Sequence, residues 1–109
     1  MKLVIVESPF AGAVQQNIFY ARLAVRECLY FGEAAIASHL LYTQEGILDD
    51  DVPEERALGI AAGLEWRSVA HKAVFYVDRG WSSGMLAAKA KYDEEGFPYE
   101  IRKLNGYSE

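Results

Sequence analysis

Tyr76-Val77-Asp78-Arg79-Gly80-Trp81-Ser82-Ser83-Gly84-Met85 carries the chain from a strand into a helix. A hydrophobic strand, Lys72 to Asp78, runs out into an acidic turn bracketed by glycines. The turn opens a helix from Ser83 to Glu95, closed by Gly96. A strand leading through a short turn into a helix is half of a parallel β-α-β unit. The same junction leaves backbone N–H groups unpaired at a helix N-terminus, which suits an anion or a sugar edge.

The pattern repeats on either side. Leu3-Val4-Ile5-Val6 is a continuous run rich in β-branched residues, as in a strand buried on both faces. Ser8-Pro9-Phe10-Ala11-Gly12 breaks it. Ala13 to Phe31 is helical, with Val14, Ile18, Ala21, Val25 and Cys28/Leu29 on one face and Arg22 and Arg26 on another. Gly32 ends this helix as a left-handed cap. Ala34-Ala35-Ile36-Ala37 is a short strand, and Ser38 to Val52 the longest irregular stretch. The next helix starts near Val52-Pro53, with Asp51 as N-cap and Glu54 three residues on. It runs to about Ala70, with Ala57, Ile60, Ala61 and Leu64 facing inward. Pro98 to Lys103 is a more polar edge strand.

The order β-α-β-α-β-α-β implies a parallel sheet with right-handed crossovers. The first and third strands are the most apolar and belong at the centre. The expected order is 2-1-3-4, a small three-layer α/β domain of Rossmann-like or flavodoxin-like kind over residues 1–109. Its topological switch point lies between strands 1 and 3, where open α/β sheets bind ligands. The loops Glu7–Gly12 and Asp78–Met85 meet there.

Composition narrows the function. The chain of 109 residues is 51% hydrophobic with a net charge of −5 and no basic block, which excludes wrapping an extended nucleic acid. The one cysteine, Cys28, falls in an apolar helical pattern and reads as packing in a reducing, cytoplasmic setting. No apolar run approaches the ~20 residues of a membrane span, and the N-terminus is too short for a signal peptide. The Ser8–Gly12 loop is neither a P-loop nor a dinucleotide fingerprint, because the glycine spacing and the lysine are missing. Asp49-Asp50-Asp51 has no second ligand cluster, so no metal and no cofactor is expected.

The candidate ligand-binding residues lie around the switch point. Ser8, Pro9, Phe10 and Gly12 form a loop with a hydroxyl, a rigid turn and a stacking surface; its alternative is a proline turn over a buried phenylalanine. Asp78, Gly80, Trp81, Ser82, Ser83, Gly84 and Met85 form the second loop, whose serines and amides suit a phosphate or ribose; its alternative is an ordinary N-cap. Asp78 is a candidate acceptor for a sugar hydroxyl. His39 reads as a general base, a ligand contact or a structural hydrogen-bonding group. Glu54 and Arg56 belong to the pocket wall or to a dimer contact, and Tyr42 and Asp50, in the long loop before them, are further ligand-binding candidates. His71 reads as solvent-facing.

Ser8-Pro9-Phe10, His39-Leu40-Leu41-Tyr42 and the block Leu48-Asp49-Asp50-Asp51-Val52-Pro53-Glu54-Glu55-Arg56-Ala57-Leu58-Gly59 resemble the small nucleoside 2-deoxyribosyltransferase-like proteins of phages and bacteria. Asp78 through Met85 resembles the same group. The resemblance implies a homodimer or higher homo-oligomer, a nucleotide-like small-molecule partner and N-glycosidic chemistry by a glutamate early in the helix after the third patch. Here that stretch is Leu86-Ala87-Ala88-Lys89, without a carboxylate. Covalent capture of an anomeric carbon needs a carboxylate or a substitute. The favoured reading is therefore a binding protein with no catalytic residue, which sequesters a nucleotide-derived signal as a phage anti-defence sponge in the host cytoplasm. Phe10, Tyr20, Tyr42 and Trp81 would sandwich the base, and Ser8, Ser82 and Ser83 would hold phosphate or ribose. The alternative is an N-glycosidase or deoxyribosyltransferase with Glu7, Asp50 or Asp78 as the relocated acid, assisted by His39. A third reading is an interaction module without a small ligand.

Overall fold

The computed structural model describes residues 1–108. Four parallel strands, β1 (Lys2–Glu7), β2 (Glu33–Ile36), β3 (Lys72–Tyr76) and β4 (Tyr99–Arg102), lie in the order β2-β1-β3-β4. The register sets Ile5 beside both Ile36 and Ala73, and Phe75 beside Ile101. The helices are α1 (Val14–Tyr30), α2 (Ser38–Leu41), α3 (Pro53–Glu65) and α4 (Ser83–Glu95). This is the three-layer α/β arrangement and the strand order expected from the sequence.

Strand alternation splits the core into two layers. Val4, Val6, Val74 and Tyr76 point to one face and pack with Tyr20, Ala24 and Cys28 of α1. Ile5, Ala73 and Phe75 point to the other and pack with Met85 and Tyr92 of α4. The central strands are apolar in their buried stretches, Val4–Val6 and Ala73–Tyr76, because both of their faces are covered there. The α4 junction forms as its sequence requires: the Ser82 hydroxyl accepts the Met85 N–H at 3.1 Å, and Gly96 takes a left-handed φ of 69° at the far end.

Several local readings are corrected. The stretch after β2 is not irregular throughout, because Ser38–Leu41 forms one helical turn that carries His39. Asp51 does not cap α3. Val52 holds that position, and Asp51 instead donates its N–H to Asp49 Oδ1 within a tight acidic turn. The helix ends at Glu65 and passes into a 3₁₀ turn, Trp66–Ser68. Its inner face is not Ala57, Ile60 and Ala61, which are exposed; Gly63 is its buried residue. Glycine there lets α3 approach α2 closely, since a Cβ on Gly63 would stand 2.5 Å from Ser38 Oγ. On α1 the buried face is rotated to Asn17, Tyr20, Ala21, Ala24 and Cys28, leaving Leu29 half-exposed. Hydrophobic spacing alone missed Asn17, whose amide donates to the Phe10 and Ala11 carbonyls at 3.0 and 3.1 Å, while Tyr20 packs within the apolar core. His71 is exposed as read, but its Nδ1 also accepts the Leu3 N–H at 2.8 Å.

Candidate functional site

A cavity of about 270 Å³ lies at the carboxyl end of β1, walled by α2, α3 and the start of α4. Glu7, Ser8 and Phe10 enter it as β1 ends and the chain turns toward α1. His39 and Tyr42 come from α2 and its end, and Gly59, Ile60 and Gly63 from α3. Ser82, Ser83 and Gly84 open α4 on the opposite side, followed along the same helix by Ala87, Ala88 and Tyr92.

Three polar features define its chemistry. First, Ser8 Oγ and His39 Nε2 share a hydrogen bond at 2.7 Å. Burial pushes the imidazole down to about 4, so it is neutral at physiological pH. Second, the Tyr92 hydroxyl donates to Glu7 Oε2 at 3.0 Å. Burial raises the Glu7 carboxyl to about 7, against the pull of the Tyr92 bond, so it exchanges a proton near neutrality. Third, Ser83 and Gly84 stand in the first turn of α4, where backbone N–H groups lack intrahelical acceptors. The Ser82 hydroxyl is already engaged as the cap of that helix.

Of the sequence candidates, the cavity gathers Ser8, Phe10, His39, Tyr42, Asp50, Arg56, Ser82, Ser83, Gly84 and Met85, together with the alternative acid Glu7. Pro9, Tyr20, Glu54, Asp78, Gly80 and Trp81 are not in its wall, and Gly12 lines only an adjoining hollow. The reasons are physical. Asp78 Oδ2 accepts the Tyr20 hydroxyl at 2.6 Å and the Leu104 N–H at 2.8 Å, so its carboxylate is committed to the fold. Tyr20 is fully buried and packs edge-on against Tyr107, which removes it as a stacking surface for a base. Trp81 leans on Phe75 with ring centroids 5.0 Å apart. Pro9 is buried, and Gly80 forms the turn at a φ of 87°. On α3 it is Glu55, not Glu54, that faces the cavity.

Sequence reasoning missed Tyr92, Gly59 and Gly63. The two glycines are four residues apart and so share a helix face, which was the available signal. Nothing local marks Tyr92, whose role depends on β1 lying beneath α4. Among the described residues, no group of His, Cys, Asp and Glu is arranged to hold a metal, and no helix is long and apolar enough to cross a membrane.

Residues 2–102 match the family described as Domain of unknown function (DUF7768). The chain belongs to that family. A search of curated proteins finds no match to this DUF7768 chain. Among solved structures, a 2-deoxyribosyltransferase from the psychrotolerant bacterium Bacillus psychrosaccharolyticus is similar at a TM-score of 0.62 and 15% identity, covering 98% of the DUF7768 chain and 76% of its own. At that identity the likeness establishes a shared fold. That neighbour is a biocatalyst for the synthesis of nucleosides.

Proposed function

We propose that the cavity takes a nucleoside-like small molecule and holds it without cutting it. The observation that carries this reading is the wall of α4: it presents the free amide donors of its first turn beside Ala87 and Ala88, where a nucleophilic glutamate is expected from the resemblance. The amides suit sugar hydroxyls, Phe10 and Tyr42 supply apolar walls for a base, and the neutral His39 hydrogen-bonds without adding charge. The volume lies just below the roughly 300–1,000 Å³ of ordinary ligand pockets, which favours one base and one sugar over a dinucleotide. Retention suits a carrier or a sequestering protein; sequestration of an immune signal draws on the resemblance alone. A homodimer belongs to the same proposal, and Leu58, more than half exposed on α3 and outside the cavity wall, offers it an apolar contact.

A second reading has its own observation. Glu7 is a cavity carboxylate held by Tyr92, one helical turn beyond Ala88 on α4. It reaches the same helix face from β1 and would serve as the relocated acid of an N-glycosidase. Calorimetry with a panel of nucleosides, followed by chromatography of the mixture, separates the two. Saturable binding with the nucleoside recovered intact is expected. Free base in excess over protein, lost in Glu7→Gln, would establish the second reading instead.

A further inference from the structure

We infer that the ligand of this cavity carries no phosphate. The inference rests on the nucleoside-like reading above and narrows it. The cavity shares Phe10, Leu48, Asp50, Glu55 and Arg56 with a wider hollow of about 770 Å³. The rest of that hollow's charged wall is Glu45, Asp49 and Asp51. Asp49 Oδ1 accepts the Asp51 N–H at 2.9 Å, and the Asp49 N–H donates to Glu55 Oε1 at 3.0 Å. These bonds hold the acidic turn against the first turn of α3, so its charge stays at the mouth. Among the described residues, no ion pair neutralises any of these five carboxylates.

Inside, Glu7 adds a sixth carboxyl group. The opposing cations are Arg56 at the mouth and Lys91, which already stands 3.8 Å from Glu95. A phosphate dianion entering here meets a field dominated by its own sign, whereas a sugar hydroxyl does not. The amides of Ser83 and Gly84 at the start of α4 favour an anion, but a helix N-terminus carries only about half an elementary charge, too little to reverse the preference set by this surplus of carboxyl groups.

The test compares ribo- and deoxynucleosides with their own 5′-monophosphates by calorimetry on the wild-type chain. At ~10 mM ionic strength, where the Debye length is about 30 Å, a bound nucleoside is expected to be favoured over its monophosphate by about tenfold. The gap should narrow at ~0.15 M, where the length is about 8 Å. The triple variant Glu45→Gln, Asp49→Asn, Asp51→Asn alters only the outer hollow and keeps the Asp49 Oδ1 acceptor. It should tighten monophosphate binding and leave nucleoside binding unchanged. A monophosphate that binds as tightly as its nucleoside at low salt overturns the inference and leaves the site standing. Failure of every nucleoside and every monophosphate to bind overturns the site itself.

Discussion

The Tyr92 hydroxyl and the Glu7 carboxylate, 85 residues apart in the chain, meet at 3.0 Å in the cavity wall. A strand end and a helix interior thus share one titrating group. The carboxyl of Glu7 rises from 4.5 to about 7 on folding, so the folded state binds its proton more tightly than the unfolded chain. Its contribution to stability is complete below about 4.5 and is lost as pH rises through about 7. In His39→Gln, which removes the opposing imidazole, unfolding free energy from urea titration should fall by on the order of 1–2 kcal/mol between about pH 5.5, where the paired carboxyls such as Glu33 are ionised in both states, and about 7. A flat profile would mean that Glu7 is hydrated and ordinary.

His39 gives the opposite slope. Its imidazole falls from 6.5 to about 4, so its contribution is complete above about 6.5 and is lost as pH drops toward 4. In Glu7→Gln, stability should therefore rise with pH across that window. In the wild type the proton taken up at Glu7 and the one released at His39 largely cancel from about 4.5 to 6.5, and these two terms leave little net slope. Imidazole nitrogen shifts provide a direct check: those of His39 should not titrate between pH 5 and 8.

Gly63 is the tightest point of the α2–α3 contact, with a built Cβ 2.5 Å from Ser38 Oγ and 3.2 Å from Ser38 Cβ. Alanine at an exposed helical site would gain about 1 kcal/mol over glycine. Here Gly63→Ala should instead lose about 1–2 kcal/mol, because Ser38 Oγ must turn away and Ser38 Cβ must still give way. It should also weaken ligand binding, since Gly63 lines the cavity. A gain in stability on chemical denaturation would show that the two helices are not in this contact.

Tyr20 and Asp78 are structural. The Tyr20 hydroxyl donates to Asp78 Oδ2 and accepts the Asp78 N–H at 2.9 Å. Tyr20→Phe leaves a charged oxygen and an amide short of a partner and should cost about 1–3 kcal/mol. Nucleoside affinity, measured well below the midpoint of unfolding, should be unchanged. Loss of affinity in a fully folded variant would return Asp78 to the site.

The contrast between Asp78 and Glu7 shows what the sequence could reveal. Strand order followed from hydrophobicity and alternation, since Leu3–Val6 and Lys72–Tyr76 are legible as buried strands without any partner in view. The switch point then located the cavity end of the sheet, and Ser8, Phe10 and Ser82–Gly84 came with it. Which carboxylate faces the cavity was not legible. Asp78 ends a strand beside the predicted site, but the distant backbone of Leu104 and the hydroxyl of Tyr20 occupy it. Glu7 sits at the end of β1, and only the packing of α4 against that strand brings Tyr92 to it. Likewise α3 buries Gly63 against α2 and leaves Ile60 half exposed at the cavity wall, which hydrophobic periodicity cannot anticipate.

Everything proposed for this cavity depends on its binding an intact nucleoside. A titration of the isotope-labelled chain with nucleosides, followed by backbone amide shifts, tests it most directly. The account predicts saturable shifts at Ser8, His39, Ser83 and Gly84, little change at Tyr20 and Asp78, and nucleoside resonances that persist over hours. Shifts absent for every nucleoside, or confined to residues away from Ser8, His39 and the start of α4, would contradict it.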